Sequence, residues 1–230
     1  MEYLAPFYND YRFWIQYQTY DVTQLLCPGE NVLSVILGDG WYKGRFSYLD
    51  EARVTEIYGD KFLAAAQLLI TYQDGSQQTI TTDENWTCLP SPVLFSTLYD
   101  GDVYDAHRDF RDCSGKICAC ATEEAMPVSR ASAPKAKLTE RRSVPVTIHE
   151  RLRPVSLLMT PAGEQVLDFG QEITGWVEFD CKAEKGTRIY LQYGEILQDG
   201  NFYRDNLRTA KAEFTYISDG SSAHVRPHFT

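Results

Sequence analysis

From Trp176 to Cys181 and again from Arg188 to Tyr193, side-chain character changes at every residue. Trp176, Glu178 and Asp180 alternate with Val177, Phe179 and Cys181, and Arg188, Tyr190 and Gln192 alternate with Ile189, Leu191 and Tyr193. A period of two places alternate residues on opposite faces of a strand, so each run has one apolar and one wettable face. Such a sheet must cover its apolar side, and a second antiparallel sheet is the simplest cover. No segment sustains three or four turns of 3.6-residue periodicity, and no G-x-G-x-x-G follows a strand. Helical bundles and dinucleotide-binding folds are therefore poor fits.

The same reading extends along the chain. Runs rich in β-branched and aromatic residues occupy Phe13 to Tyr17, Val32 to Leu37, Phe62 to Tyr72, Gln77 to Thr81 and Val93 to Leu98. Further runs occupy Val155 to Met159, Gln165 to Phe169, Gly175 to Phe179, Thr187 to Tyr193 and Glu213 to Ile217. Asp74-Gly75, Asp199-Gly200 and Asp219-Gly220 supply turns, and Thr23 to Leu26 reads as one helical turn capped by Asp21 or Thr23. Between Cys113 and Glu140, Ala, Ser, Lys and Pro replace large apolar residues, as in a connector. The expected architecture is all-β, with a first β-sandwich over residues 1–112, a connector over 113–143 and a second sandwich over 144–230, both jelly-roll-like.

Charge and cysteine content narrow the function classes. A formal charge of -10, with 22 basic against 32 acidic residues, repels a phosphate backbone, and no local basic patch offsets it. Nucleic acid is not an expected partner. The most apolar stretch, Phe62 to Ile70, is interrupted by Gln and too short to cross a bilayer. The first twenty residues lack the basic head and apolar core of an export signal, which gives a cytoplasmic expectation. Six cysteines are too few to staple a chain of this size, so free thiols are expected. Cys113, Cys118 and Cys120 cluster without a second ligand pair to close a zinc site.

Two segments carry candidate chemistry. In Leu37-Gly38-Asp39-Gly40-Trp41-Tyr42-Lys43-Gly44-Arg45, glycines permit sharp turns while Trp41 and Tyr42 offer flat faces and Asp39, Lys43 and Arg45 offer hydrogen-bonding charges. That mixture suits a pyranose, whose C–H faces stack and whose hydroxyls pair with polar groups. The structural alternative has Trp41 or Tyr42 plugging the sandwich while Asp39 pairs with Arg45. In Tyr99 to Arg108, Asp100, Asp102 and Asp105 place three carboxylates within six residues, a candidate calcium site although the loop is not an EF-hand. Capping and Asp–Arg pairing are the alternative there. A glycosidase needs two carboxyls opposed across a sugar; Glu172, Glu178 and Glu195 are only loose candidates. No G-x-S-x-G or H-E-x-x-H is present.

Several strings together resemble the N-terminal and linking β-domains of the bacterial α-L-rhamnosidases of glycoside hydrolase family 78. They are Tyr17 to Thr23, Leu37 to Arg45 and Ser96 to Ala106 in the first half. In the second half they are Arg153 to Val155, Val166 to Gln171, Gly175 to Val177, Tyr193 to Leu197 and Asn206 to Lys211. Pro6, Asp10 and Tyr11 match a further family pattern, from which Phe7, Tyr8 and Asn9 depart.

The resemblance implies membership of a multidomain hydrolase that removes terminal non-reducing α-L-rhamnose from glycosides with inversion. Its general acid and base are two glutamates in a downstream (α/α)6 barrel, so no catalytic residue is expected here. Both ends of the chain are expected to fall inside family domains. Some relatives use the first domain as a calcium-dependent rhamnose-binding module, which makes Asp10, Asp39, Trp41, Tyr42 and Arg45 the carbohydrate-binding candidates. Glu195, Asn206 and Arg208 are candidates for contact with the catalytic domain. Asp168 and Gln171 are expected to satisfy backbone groups, and Trp176 to pack against a neighbouring layer.

Overall fold

A computed structural model describes residues 2–46, 54–111 and 123–228. The strands are β1 (Trp14–Tyr17), β2 (Gln67–Thr71), β3 (Gln77–Thr81), β4 (Thr87–Cys88), β5 (Val93–Thr97), β6 (Gly101–Asp105), β7 (Met126–Pro127) and β8 (Lys137–Glu140). They continue as β9 (Ser156–Met159), β10 (Gln165–Asp168), β11 (Phe179–Cys181), β12 (Arg188–Gln192), β13 (Ile196–Gln198), β14 (Asn201–Tyr203), β15 (Glu213–Ile217) and β16 (Ala223–Val225). One helical turn, α1 (Gly40–Lys43), and short 3-10 turns complete the described residues. The protein is essentially all-β, made of small sheets in sandwich-like layers. Among the described residues no helix is long and apolar enough to cross a membrane.

The largest sheet has the order β12-β15-β6-β5. β12 pairs antiparallel with β15 and β5 with β6, whereas β15 and β6 run parallel, from Glu213 opposite Gly101 to Ile217 opposite Asp105. One sheet thus draws strands from both sides of the connector. Parallel neighbours need a long crossover, and the 107 residues between Ala106 and Ala212 supply it. Other short ladders are β1-β8 (parallel), β2-β3, β4-β7, β9-β10, β11-β16 and β13-β14.

The alternation read from sequence explains the core. Phe214, Tyr216 and Tyr104 point inward from the four-stranded sheet and meet Cys181 and Val225 from the β11-β16 ladder, with Ile189, Leu191 and Phe179 packed around them. Phe214 is 1% exposed, and its ring meets Phe179 edge-on at 6.5 Å. Tyr104 stacks between Tyr216 at 6.0 Å and His228 at 4.9 Å. Two facing layers have therefore closed over one another here, as period-two strands require.

Elsewhere the layers are open. The chain exposes 16796 Å², against about 10,600 Å² for a compact monomer of this mass. Much of the excess lies on ladders of two strands, such as β9-β10, where Val155, Leu157 and Met159 share an exposed face.

Some local expectations change. Asp21 does cap the turn at Thr23–Leu25, accepting the Thr23 N–H at 2.9 Å. Val32 to Leu37 and Gly175 to Val177 are irregular rather than strands, because no partner strand is hydrogen-bonded there. Gly101 to Asp105, read as an acidic loop, is the interior strand β6; its pairing on both edges overrides the poor strand propensity of Gly and Asp. Cys113, Cys118 and Cys120 lie outside the described residues. Cys27, Cys88 and Cys181 carry free thiols.

Candidate functional site

The Gly38–Arg45 segment turns once as α1 and leads Arg45 into the interior. Arg45 is 3% exposed and donates to Asp100 Oδ1 at 2.9 Å, to the Thr209 carbonyl at 2.9 Å and to Thr209 Oγ1. Its guanidinium also lies 5.3 Å from the Tyr99 ring centre. The planar, five-donor guanidinium is the side chain suited to satisfying several acceptors at once when buried. Three separated strings, Leu37 to Arg45, Ser96 to Ala106 and Asn206 to Lys211, therefore meet at one cation.

Asp39 does not pair with Arg45. It accepts from Lys43 Nζ at 3.0 Å, one turn along α1, while Arg45 is committed to Asp100. Trp41 packs against Tyr8 at 5.6 Å, Phe46 at 5.6 Å and Tyr99 at 6.2 Å. Tyr42 contacts Tyr11 at 5.5 Å and stacks on Tyr58 at 6.3 Å. Tyr58 shares a 2.9 Å hydrogen bond with Tyr8, which pushes its phenol up to about 12. Burial pushes Tyr11 to about 12 as well. The rings thus form one aromatic cluster next to the Arg45 junction. Asp10 lies at its edge, but its carboxylate is held below the ordinary value by the hydrogen bond and charge of Arg12, which approaches to 2.5 Å.

The calcium candidates Asp100, Asp102 and Asp105 each have a partner within the chain. Asp100 pairs with Arg45, Asp102 accepts the His228 backbone N–H at 2.8 Å, and Asp105 accepts from the His107 backbone at 3.1 Å and contacts its ring at 2.8 Å. Asp102 and Asp105, three apart on β6, fall on opposite faces of the strand. Among the described residues no group of three His, Cys, Asp or Glu side chains is placed to hold a metal.

In the second half, Glu195 accepts from Asn206 Nδ2 at 2.7 Å, which joins two of the interface candidates. Arg208 follows the Asp205–Leu207 turn with φ of +59°, its N–H bonded to the Asp205 carbonyl. Asp168 Oδ1 accepts the Gly170 N–H at 2.7 Å, and Trp176 packs on Tyr3 at 4.8 Å while donating to Glu178 at 3.2 Å. Glu178 also faces Arg151 at 3.4 Å and His224 at 3.6 Å. Burial raises its pKa, but Trp176 and the two cations outweigh that and lower it. Among the described residues every carboxyl whose pKa is displaced moves downward, including Asp109, which Arg111 and Tyr104 bring to about 2 against the upward push of burial.

Sequence reasoning missed Thr209, Tyr8 and Tyr58 as members of the cluster. Thr209 lay inside a string already singled out, but nothing local says that it reaches a residue 164 positions away.

Residues 1–150 match the α-L-rhamnosidase N-terminal domain, and residues 158–230 match the bacterial α-L-rhamnosidase concanavalin-like domain. An α-L-rhamnosidase of Streptomyces avermitilis is 31% identical over 99% of this chain, and one of an Alteromonas species is 32% identical over 99%. The crystal structure of the native enzyme from Aspergillus terreus superposes with a TM-score of 0.90 at 29% identity, over 100% of this chain and 26% of its own. That of the Streptomyces avermitilis enzyme in complex with L-rhamnose gives 0.89 at 31% identity, over 100% and 22%. The chain spans 22% and 24% of the two curated relatives' lengths and corresponds to their N-terminal and linking β-domains. With both of its halves matched and its sheets superposed, the chain belongs to the α-L-rhamnosidase family.

Proposed function

We propose that this chain is the non-catalytic β-portion of an α-L-rhamnosidase, an enzyme that hydrolyses terminal α-L-rhamnose from glycosides. The acid and base that break the bond are carried outside these residues. The observation that carries this reading is the match of residues 1–150 and 158–230 to the N-terminal and concanavalin-like domains of relatives less than a quarter of whose length the chain spans; the state of the carboxyls is in keeping with it. A general acid must hold its proton near neutral pH, which calls for a raised pKa. Among the described residues the displaced carboxyls all move the other way, held by an Arg, a hydroxyl, an indole or a backbone N–H. Pure 230-residue protein incubated with an aryl α-L-rhamnoside is expected to release no aglycone. Saturable turnover that survives repurification would overturn the proposal.

A second reading rests on the aromatic cluster around Trp41. Its rings, with Asp39 and Lys43 alongside, are the chemistry that grips a sugar face and its hydroxyls, and a relative was crystallised with L-rhamnose. On this reading the first domain binds rhamnose and presents the glycoside to the rest of the enzyme.

A further inference from the structure

The outward face of the four-stranded sheet lies outside the core and adjoins the Arg45 junction only at one end, through Asp100. Register pairs Tyr190 with Thr215, Thr215 with Val103, and Val103 with Phe95, so one row of side chains crosses all four strands on the same side. Three interstrand steps separate its ends by about 14 Å. At those ends stand two rings, Tyr190 at 52% and Phe95 at 43% exposure, with the small side chains of Thr215 and Val103 between them.

At the Phe95 end of the row is a cleft of about 250 Å³, lined by Phe95, Val103, Thr215, Glu213 and Lys211 together with Asp100 and Asp102. The polar groups between this cleft and Tyr190 are organised. Gln192 Nε2 donates to Tyr190 Oη at 2.9 Å and to Glu213 Oε1 at 3.2 Å, and Arg204 reaches the same carboxylate oxygen at 3.5 Å. Gly101 lets β6 and β15 come together, since a Cβ there would stand 1.7 Å from the Glu213 carbonyl oxygen.

We propose that this face, from Tyr190 to Phe95, is a binding platform for a short, uncharged oligosaccharide. Two separated rings, with an oriented hydroxyl, amide and carboxylate beside the row at Tyr190, Gln192 and Glu213, match a ligand that alternates apolar ring faces with hydroxyls. A protein partner would be better served by a contiguous apolar patch, which the intervening Thr215, Glu213 and Gln192 interrupt. Asp100 and Glu213, in a chain of net charge -10, disfavour an anionic ligand. The spacing of the rings asks for more than one sugar unit. The platform deepens the proposed function by adding a site for the chain of the glycoside, outside the Trp41 cluster.

Calorimetric titration of the 230-residue protein tests it, with L-rhamnose and with a linear trisaccharide ending in α-L-rhamnose as probes. The trisaccharide is expected to bind about tenfold more tightly than the monosaccharide, and Tyr190→Ala and Phe95→Ala each to weaken it about fivefold, while Tyr190→Phe keeps the stacking and most of the affinity. Hydroxyl-radical footprinting of the unaltered protein supplies a readout that needs no variant: the trisaccharide is expected to shield the peptides holding Tyr190 and Phe95. Equal affinity for both sugars, no heat at millimolar trisaccharide, unchanged binding in both alanine variants, or no shielding of either peptide would overturn the platform. These outcomes leave the non-catalytic reading standing, whereas aglycone release by this chain would overturn that reading and leave the platform untouched.

Discussion

The four-stranded sheet and the β9-β10 hairpin follow the same rule of alternation and reach opposite outcomes. In the sheet, Phe214 and Tyr216 alternate with Glu213, Thr215 and Ile217, and the aromatic pair is sealed beneath the β11-β16 ladder. In the hairpin, Leu157 and Met159 alternate with Ser156 and Leu158, yet Leu157 is 66% exposed. What differs is the number of neighbours: an interior strand with a facing layer buries its apolar side, and a lone hairpin cannot. Pattern therefore specifies which side chains can be buried, while topology decides which of them are.

The sharpest way to break this comparison is to truncate one side chain in each region. Phe214→Ala opens a cavity in a closed interior and is expected to cost about 3–5 kcal/mol in denaturant unfolding, whereas Leu157→Ala is expected to stay within about 0.5 kcal/mol. Equal losses at the two positions would show that the hairpin face is packed in solution and would remove the contrast.

A smaller but still large effect is expected at Arg45, which ties the helical turn to the sheet. Arg45→Ala leaves Asp100 and the Thr209 carbonyl without their cation in a nearly sealed environment, a loss of about 3 kcal/mol. Arg45→Lys is not expected to restore it, because one ammonium cannot reproduce the fork that serves Asp100 and Thr209 together. Removing both charges, as in Arg45→Met with Asp100→Leu, is expected to recover part of the stability. Thermal unfolding of the four proteins measures the set, and an Arg45→Ala variant as stable as the parent would mean that the junction contributes little.

These regions also show how far the sequence could be read. Gln77 to Thr81 and Glu213 to Ile217 form strands over the ranges their pattern indicates, because strong β-formers there also find partners close at hand or in the core. Cys181, Ile189 and Leu191 point inward as alternation requires. Gly101 to Asp105 was illegible because its residues disfavour strands, and its place is set by parallel pairing with residues 112 positions later, Glu213 to Ile217. The candidate site divides in the same way. Trp41, Tyr42 and Arg45 were found through their local mix of rings and charges. Arg45's actual acceptors, Asp100 and Thr209, lie 55 and 164 residues away and follow only from the fold. The partners of Asp100, Asp102 and Asp105, which are Arg45, the His228 backbone and His107, could be read from the sequence only for the last, two residues away.

The smallest expected effect lies where the closing ladder meets solvent. Asp180 and His224 are a register pair on β11 and β16, with His224 Nδ1 2.8 Å from the Asp180 carboxylate and Nε2 3.6 Å from Glu178. The hydrogen bond to Asp180, aided by the charge of Glu178, raises the imidazole above its ordinary 6.5 against a small opposing effect of burial. A raised folded-state pKa means that the interaction stabilises fully below that ordinary value and fades as pH climbs through the folded one. His224 is largely open to water, so screening limits the contribution to about 0.5 kcal/mol or less. Thermal unfolding followed from about pH 5.5 to about pH 8 is expected to show a slight loss in the parent and a flatter profile in Asp180→Asn. If Asp180→Asn lowered stability as much as Phe214→Ala, the edge of the ladder would be as tightly determined as the core beneath it, and layer count alone would no longer separate the two regions.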